Sequence, residues 1–207
     1  MNNHVRSSLF VAALLVSTTV VNAQTITLVS GNGSIGTRDP NTIFSIDNGA
    51  TFTNAFIITP NVLYGSLPGA NWIGVQADAA GPANSTNLYH TSFTLPLGFT
   101  SPSFSISILA DDQAVVFLNG NFIGAQSLPG GHPNGTNPPS IFSTTNPALF
   151  LTGQNIIEVR CYNQPGGVTN PTGIDFVATV VPEPTVFVLT GSGLAGLFLT
   201  YRRRRKA

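Results

Sequence analysis

The sequence predicts an all-β protein built on a single antiparallel β-sandwich, and three observations lead to that prediction. Short runs rich in β-branched and aromatic residues recur between clusters of Gly, Pro and Asn, as they do in sandwiches and barrels. Several of these runs alternate strictly between apolar and polar residues, which is typical of antiparallel sheets with one buried face. No helical periodicity longer than two turns occurs between residues 24 and 180, a length suited to one domain with a sizeable core.

The predicted strands follow one another with turn residues between them. They cover residues 25–29, 52–58, 72–76, 89–95, 104–109, 115–118, 121–123, 155–162 and 173–181. Phe104, Ile106 and Ile108 share one face of the fifth strand, so we expect them in the core. In the last strand, Asp175 and Thr179 fall on the face opposite to the apolar residues, which predicts that both face water.

Two connections between the predicted strands have a clear local signal. Asn119-Gly120 separates two apolar runs and predicts a hairpin with a type I′ turn, because both residues tolerate positive φ. The stretch 127–147 is rich in Pro, Gly, Asn and Ser and has no periodicity. It predicts a long surface loop, and such loops are often where ligands bind.

The N-terminal residues 1–23 have the pattern of a secretory signal peptide. A weakly basic start precedes a short apolar stretch, which gives way to small and polar residues ending at Ala23. Cleavage after Ala23 would make Gln24 the first residue of the mature chain. A first membrane helix is the alternative, but the apolar stretch is short and ends in Ser and Thr.

The C-terminal residues 181–207 combine three features in a fixed order. Pro182, Glu183 and Pro184 hold the chain extended, because Pro fixes its own φ and restricts the residue before it. The uncharged run 185–201 predicts one transmembrane helix, at the short end of what spans a bilayer. The basic block that follows is expected to stop transfer and to remain cytoplasmic; it consists of Arg202, Arg203, Arg204, Arg205 and Lys206.

This tail resembles the PEP-CTERM sorting signal of Gram-negative bacteria, in which a Pro-Glu-Pro motif precedes a membrane helix and an Arg-rich terminus. The resemblance implies export by the Sec machinery and a precursor anchored in the inner membrane. It also implies processing by an exosortase, a membrane-embedded cysteine transpeptidase, near Pro182–Pro184. The product would then be displayed at the cell surface or released into the extracellular matrix, among polysaccharide. An ordinary C-terminal anchor with chance prolines is the alternative.

The formal net charge of zero conceals a segregation of charge along the chain. Between Gln24 and Val181 there are two basic residues, Arg38 and Arg160, against seven acidic ones, and no Lys. This balance excludes nucleic acid and anionic membrane surfaces as partners of the exported domain, since both require clustered Lys and Arg. The composition suits a protein that lives outside the cell.

Three segments of the exported domain also resemble galactose-binding-like jelly rolls. Residues 110–120 are similar to the family's hairpin of Asp, apolar strand and Asn-Gly, and residues 151–159 to its later Leu, Gly-x-Asn and apolar strand. Residues 171–176 would be the returning final strand. The resemblance implies a jelly-roll-like sandwich, with an immunoglobulin-like sandwich as the alternative. Such domains occur as sugar-binding modules beside glycosidase catalytic domains, but function lies in the site and not in the fold.

The sequence holds no recognisable catalytic signature, which predicts that the protein is not an enzyme. His90 and His132 have no metal-ligand spacing and are expected to be surface residues, with a ligand or general base as the alternative. Asp111-Asp112 has oxygen ligands suited to a structural Ca²⁺, although a turn-capping pair at an exposed edge is favoured. No other metal or cofactor is expected. Cys161 is expected to be a small buried core residue without a disulfide.

Sugar binding needs a flat aromatic side chain beside hydrogen-bonding groups. Trp72, the only Trp, with Asn71 before it, is one candidate, and Asp111 is another. The alternative for Trp72 is packing in the core. The sequence therefore predicts an exported, non-catalytic matrix protein with weak affinity for glycans. A secreted hydrolase of matrix polysaccharide and a plain membrane-anchored structural or adhesive protein are the alternatives.

Overall fold

Alternating apolar and polar residues form extended strands throughout the part of the chain that this computed structural model describes, residues 24–126, 138–166 and 170–183. These residues lie within one compact unit, Asn22–Pro184. A 3-10 helix, Pro147–Leu149, precedes the tenth strand. The strands are β1 (Ile26–Val29), β2 (Arg38–Ser45), β3 (Thr53–Ile57), β4 (Ile73–Gly74), β5 (Ser85–Leu95), β6 (Thr100–Asp111), β7 (Gln113–Leu118), β8 (Asn121–Ala125), β9 (Ser140–Thr144), β10 (Gly153–Asn163) and β11 (Gly173–Glu183).

Hydrogen bonds link the described strands into one antiparallel sheet, so the prediction of an all-β antiparallel fold is confirmed. The strand order is β8-β7-β10-β5-β2-β3-β4-β11-β6-β9, and β1 pairs with β11 beside this path. The end strands β8 and β9 come together, because Gln126 Nε2, just after β8, donates to Ser140 Oγ in β9 over 3.1 Å. The sheet therefore bends round almost to closure, and its inner face encloses a core.

The core is formed by the inward-facing side chains of the strands. Phe104, Ile106 and Ile108 of β6 are at most 1% exposed, as their alternation predicts. A second, smaller cluster lies on the opposite face of β6 and contains Leu109, Ile58, Leu67 and Trp72. The segment between β3 and β4 supplies Leu67 and Trp72, so it covers a sheet face that alternation alone would leave in water.

Asp175 lies under this segment and is fully buried, so the expectation that it faces water is wrong. The backbone N–H of Leu67 donates to Asp175 Oδ2 over 2.9 Å, and Ser30 Oγ donates to Oδ1 over 3.1 Å. Burial raises the pKa of the Asp175 carboxyl, and the two hydrogen bonds oppose that shift. The carboxyl thus fastens a covering loop to the sheet instead of solubilising an outer face.

Two strands have no signal in the sequence. β2 begins Arg-Asp-Pro-Asn, and this polar start conceals a strand that pairs with both β3 and β5. β9 falls within 127–147 and the 3-10 helix begins at the last residue of that stretch, Pro147, so the prediction of a continuous loop is wrong for those residues. The segment 127–137, which includes His132, lies outside the described residues.

The predicted hairpin at Asn119-Gly120 is confirmed. Leu118 pairs with Asn121, and the two residues between them have φ of 50° and 77°. The Asn119 side chain also makes hydrogen bonds to residues outside the turn. Its Nδ2 donates to the backbone oxygen of Leu149, and its Oδ1 accepts from the N–H of Ile156, both over 2.9 Å. The turn is therefore fixed to the start of β10.

Gly124 in β8 lies where the two end strands meet. A Cβ added there would lie 2.2 Å from Cδ1 of Phe142 in β9. We expect Gly124→Ala to lower the free energy of unfolding by about 1–3 kcal/mol, because the ring has to move. Phe142→Leu should recover part of this loss in the double variant. Chemical denaturation of the four proteins measures the coupling, and a Gly124→Ala variant as stable as the wild type would contradict the closure.

The predicted targeting segments lie outside the described residues. This applies to the predicted signal peptide with Ala23, to Pro184, to the run 185–201 and to the basic block 202–206. Among the residues that are described, none belongs to a helix long and apolar enough to cross a membrane. Gln24, Pro182 and Glu183 are described, and the last two form the end of β11.

Candidate functional site

The outward-facing side chains of β8, β7, β10 and β5 form a continuous row across the sheet. Strand register produces it, since Glu158 of β10 lies opposite Phe117 of β7 on one side and His90 of β5 on the other. The row is extended at one end by Phe122 of β8 and at the other by Phe52, just before β3. We call this set the outer-face row; it consists of Phe122, Phe117, Arg160, Glu158, His90 and Phe52.

Each member of the outer-face row contacts the next. The rings of Phe122 and Phe117 are 6.0 Å apart and edge-to-face, and the guanidinium of Arg160 lies 4.3 Å from the centre of the Phe117 ring. Arg160 Nε lies 2.6 Å from Glu158 Oε1, and His90 Nε2 lies 2.7 Å from Glu158 Oε2. His90 in turn stacks on Phe52, with ring centres 4.5 Å apart. Two aromatic ends thus enclose a charged centre.

The centre of the row is ordered by Glu158. Burial alone would raise the pKa of this carboxyl, but hydrogen bonds and charge from His90 and Arg160 outweigh it and hold the pKa below its usual value. Glu158 therefore stays ionised under ordinary conditions and orients the Arg160 guanidinium and the His90 ring. Nε of Arg160 serves this pair, and a guanidinium carries four further N–H donors for other partners.

The row is open to solvent at its ends. Phe122 is 62% exposed, Phe52 37%, and the side chain of Arg160 48%. Neighbouring strands lie about 4.8 Å apart, so the four strands span roughly 14 Å from Phe122 to His90. Flat apolar rings beside charged hydrogen-bonding groups are suited to sugars, whose faces are apolar and whose edges carry hydroxyls. The arrangement therefore combines apolar rings with charged hydrogen-bonding groups along one face of the sheet.

Sequence reasoning missed this site. The sequence indicates no partner for His90, and register places it against Glu158, 68 residues away in the chain. The alternation of β10 carries part of the signal, since Glu158 and Arg160 share the face opposite Val159. Which residues of β5 and β7 lie beside them follows only from the pairing of the strands.

The predicted sugar-binding residues lie elsewhere and do not form one exposed surface. Trp72 is 1% exposed, its Nε1 donates to the backbone oxygen of Gly65, and its ring packs against that of Tyr64 with centres 4.6 Å apart and planes tilted by 38°. An indole buried to this degree offers no face to a sugar. Asn71 is exposed, but its Nδ2 donates to the backbone oxygen of Gly31 over 2.8 Å. Trp72 therefore has the position of a core residue.

Asp111 and Asp112 are buried, at 4% and 5% exposure, so they do not form an exposed edge. The hydroxyl of Tyr64 donates to Asp111 Oδ2, and Asp112 Oδ2 accepts from the N–H of Gln164 over 2.6 Å. Burial, and the charge and hydrogen bond of Asp112, raise the pKa of Asp111 to about 7. Structural calcium at this pair stays a prediction. Cys161 is fully buried beside Asp111 and forms no disulfide, as expected.

A separate pocket of about 390 Å³ lies between the connections around β4. Its lining residues are Thr59, Pro60, Asn61, Asp78, Ala79, Ala80 and Pro171. Asp78 is the one titratable side chain among them, and its Oδ1 accepts from the N–H of Ala80. Hydrolysis of glycosides commonly needs two carboxyl groups, one on each side of the glycosidic bond. This lining supplies one.

One family model matches the chain. It is described as the β-galactosidase second all-beta domain and matches residues 67–166, just under half of the chain. The matched stretch runs from β4 through β10 and includes every member of the outer-face row except Phe52. No curated protein matches the chain.

Solved structures with a similar fold include two bacterial glucuronidases and a binding module. The β-glucuronidase of Ruminococcus gnavus shares 12% identity over 81% of this chain, with a TM-score of 0.46. That of Dictyoglomus thermophilum shares 14% over 79%, with a TM-score of 0.44. This chain spans 30% and 28% of those chains. A family 35 carbohydrate binding module from Clostridium thermocellum shares 12% over 74% of this chain and 97% of its own, with a TM-score of 0.41.

Proposed function

We propose that the protein is an exported, non-catalytic β-sandwich of jelly-roll type that binds extracellular polysaccharide weakly through the outer-face row. It is delivered by the C-terminal signal of Pro182, Glu183 and Pro184, the run 185–201 and the basic block 202–206. Its partners are the export and exosortase machinery during sorting, and matrix polysaccharide afterwards. The membrane holds the precursor until processing.

The outer-face row is the observation that carries the proposal for glycan binding. It provides two exposed rings, Phe122 and Phe52, on either side of the ionised Glu158 and its neighbours Arg160 and His90. A row with so much open surface is suited to weak and extended contacts, because few of its groups can be fully desolvated by a ligand. The match to an all-β accessory domain of a glycosidase supports the same class of ligand.

A hydrolase is the second candidate, and the arrangement of carboxyl groups gives it less support. The adjacent pair Asp111 and Asp112 is buried under Tyr64, where a polymer has no access. Glu158 lies on an open sheet, and its two carboxylate oxygens are already engaged by Arg160 and His90. Carboxyl groups that hydrolyse a glycosidic bond have to stand one on each side of it, with access for the attacking water.

Binding is tested with the full chain in detergent micelles and the extracellular polysaccharide of the producing strain. We expect Phe122→Ala to weaken binding about tenfold, because an aromatic stacking contact contributes on the order of 1 kcal/mol beyond the area it buries. Arg160→Ala should weaken it by a similar factor. Leu97→Ala is the matched control, since Leu97 is 90% exposed and does not belong to the row. Affinity electrophoresis measures the constants, and row variants that bind like the control would refute the site.

Sorting is tested by intact mass. Protein is recovered from membrane and from medium, in cells with and without the candidate exosortase. A species that begins at Gln24 and has lost the basic block only when the enzyme is present is the expected result. A chain ending at Ala207 in both strains would leave a membrane-anchored β-domain and refute processing, whatever the result for polysaccharide.

A further inference from the structure

The last strand of the sheet extends into the sorting triplet. β11 ends at Glu183, which pairs with Thr100 of β6, and Val181 pairs with Ser103. The register shifts between Val181 and Glu183, which is how a sheet accommodates Pro182, a residue without an N–H. Pro182 is nevertheless buried, and Thr100 Oγ1 lies within 3.4 Å of the backbone oxygen of Glu183. Two of the three motif residues are therefore part of the folded domain.

β11 is also central to that domain. It pairs with β1, β4 and β6, more partners than an edge strand has. Its inward side chains Ile174, Phe176 and Val180 are at most 1% exposed. A chain cut within β11 would lose part of this buried surface, at about 25 cal/mol for each Å² of apolar area returned to water. A cut inside β11 would therefore destabilise the folded domain.

An enzyme that cuts a peptide bond binds several residues on either side of it in extended form, through their backbone groups. Backbone groups already paired in a sheet are not free for this, unless the strand first separates from its neighbour. Separation of β11 from β6 back to Val180 would expose core side chains, so it belongs to the costly openings of the domain. Access of the enzyme to the chain beyond the pair Glu183–Thr100 does not require β11 to separate from β6.

We propose that the folded domain determines where processing occurs, so that the cut falls at the bond after Glu183 or closer to the C-terminus. This inference rests on the proposed sorting. In the processing step, a thiolate of the processing enzyme attacks the carbonyl carbon of the peptide bond that is cut. The C–N bond breaks, and the amine of the downstream segment leaves with a proton. Water or an amine acceptor then releases the domain from the thioester. The mature domain keeps Pro182 and Glu183 and all of β11.

The exact C-terminus of the released protein tests the position of the cut. We expect it at Glu183 or later, with β11 intact. A released chain ending at Val181 or Pro182 would overturn the inference and leave the sorting proposal standing. Release of no shortened chain, with or without the enzyme, would overturn both, since there would be no processing to position.

A four-residue insertion tests whether the sheet limits access. Gly-Ser-Gly-Ser between Val181 and Pro182 moves the triplet away from Thr100 without changing its sequence. We expect processing at least as fast as in the wild type, because the triplet no longer has to leave the sheet. The same insertion after Gln24, ahead of β1, is the control. Slower processing of the first variant alone would mean that the sheet presents the motif to the enzyme, which contradicts the inference.

Limited proteolysis supplies a readout that does not depend on the exosortase. The full chain in detergent micelles is treated briefly with proteinase K, and the masses of the resistant fragments are determined. We expect the resistant fragment to end at Glu183 or beyond. Early cuts between residues 173 and 183 would show that β11 is open to proteases, and would overturn the inference even if sorting occurs.

Discussion

Asp175→Ala is expected to lower the free energy of unfolding by about 2–4 kcal/mol. The change removes the acceptor of two buried donors, the N–H of Leu67 and the hydroxyl of Ser30. The hydroxyl has another acceptor within reach, the backbone oxygen of Asn71 at 2.9 Å, whereas the N–H of Leu67 is left unpaired. A buried donor without a partner costs about 1–3 kcal/mol, and the cavity left by the carboxyl adds to this.

Urea denaturation followed by Trp72 fluorescence measures this effect. Trp72 is the only Trp of the chain and packs in the same cluster as Leu67, so it reports on the covering segment directly. Asp78→Ala is the control, because it removes an exposed carboxyl and should change stability by less than about 0.5 kcal/mol. A midpoint for Asp175→Ala equal to that of the control would mean that the buried carboxyl does not hold the loop.

A decrease in stability between about pH 4 and pH 7 is the second large effect that we expect. The pKa of Asp111 is raised from 3.8 to about 7 by burial and by Asp112, and burial also raises the pKa of Asp175. Between about pH 4 and pH 7 the Asp111 carboxyl keeps its proton in the folded state and has lost it in the unfolded state. Stability therefore falls as the pH rises, by roughly 2–4 kcal/mol, and the loss is complete above the folded pKa.

Denaturation at a series of pH values tests this dependence. Asp111→Asn, which cannot ionise and still offers an oxygen to the hydroxyl of Tyr64, should remove most of the slope. Below about pH 4 the trend should reverse, because Asp47 and Glu158 have lowered pKa values and lose their stabilising interactions when they are protonated. Equal slopes for the wild type and Asp111→Asn would refute the role of Asp111.

The sequence predicts the fold class and most of the strands because alternation is a local property. The faces of β6 follow from Phe104, Ile106 and Ile108 alone, and the turn at Asn119-Gly120 follows from two residues that accept positive φ. β9 and β2 were missed for the same reason. A strand with a polar or Pro-containing sequence gains its stability from its neighbours, and this tertiary contribution outweighs local propensity.

The candidate site depends on long-range pairing to a greater extent. Glu158 meets His90 only because β10 pairs with β5 in one register, and a shift of β10 by a single residue would turn Glu158 to the inner face, away from His90. For Trp72 and Asp111 the sequence suggests a site where the structure has buried side chains. Their chemistry suggests sugar binding, but the segment between β3 and β4 buries both. No local sequence pattern predicts which face of a sheet a loop will cover.

The pairing of the first strand with the last has a consequence for the timing of folding. Ile26 of β1 lies opposite Val180 of β11, so the earliest and latest parts of the described domain are neighbours in the sheet. A chain that crosses a membrane N-terminus first delivers β11 last, and the sheet lacks a central member until then. Contacts so distant in sequence form slowly. Vectorial delivery would therefore keep the chain unfolded during transit and postpone its cooperative folding until the Pro-Glu-Pro segment has reached the far side.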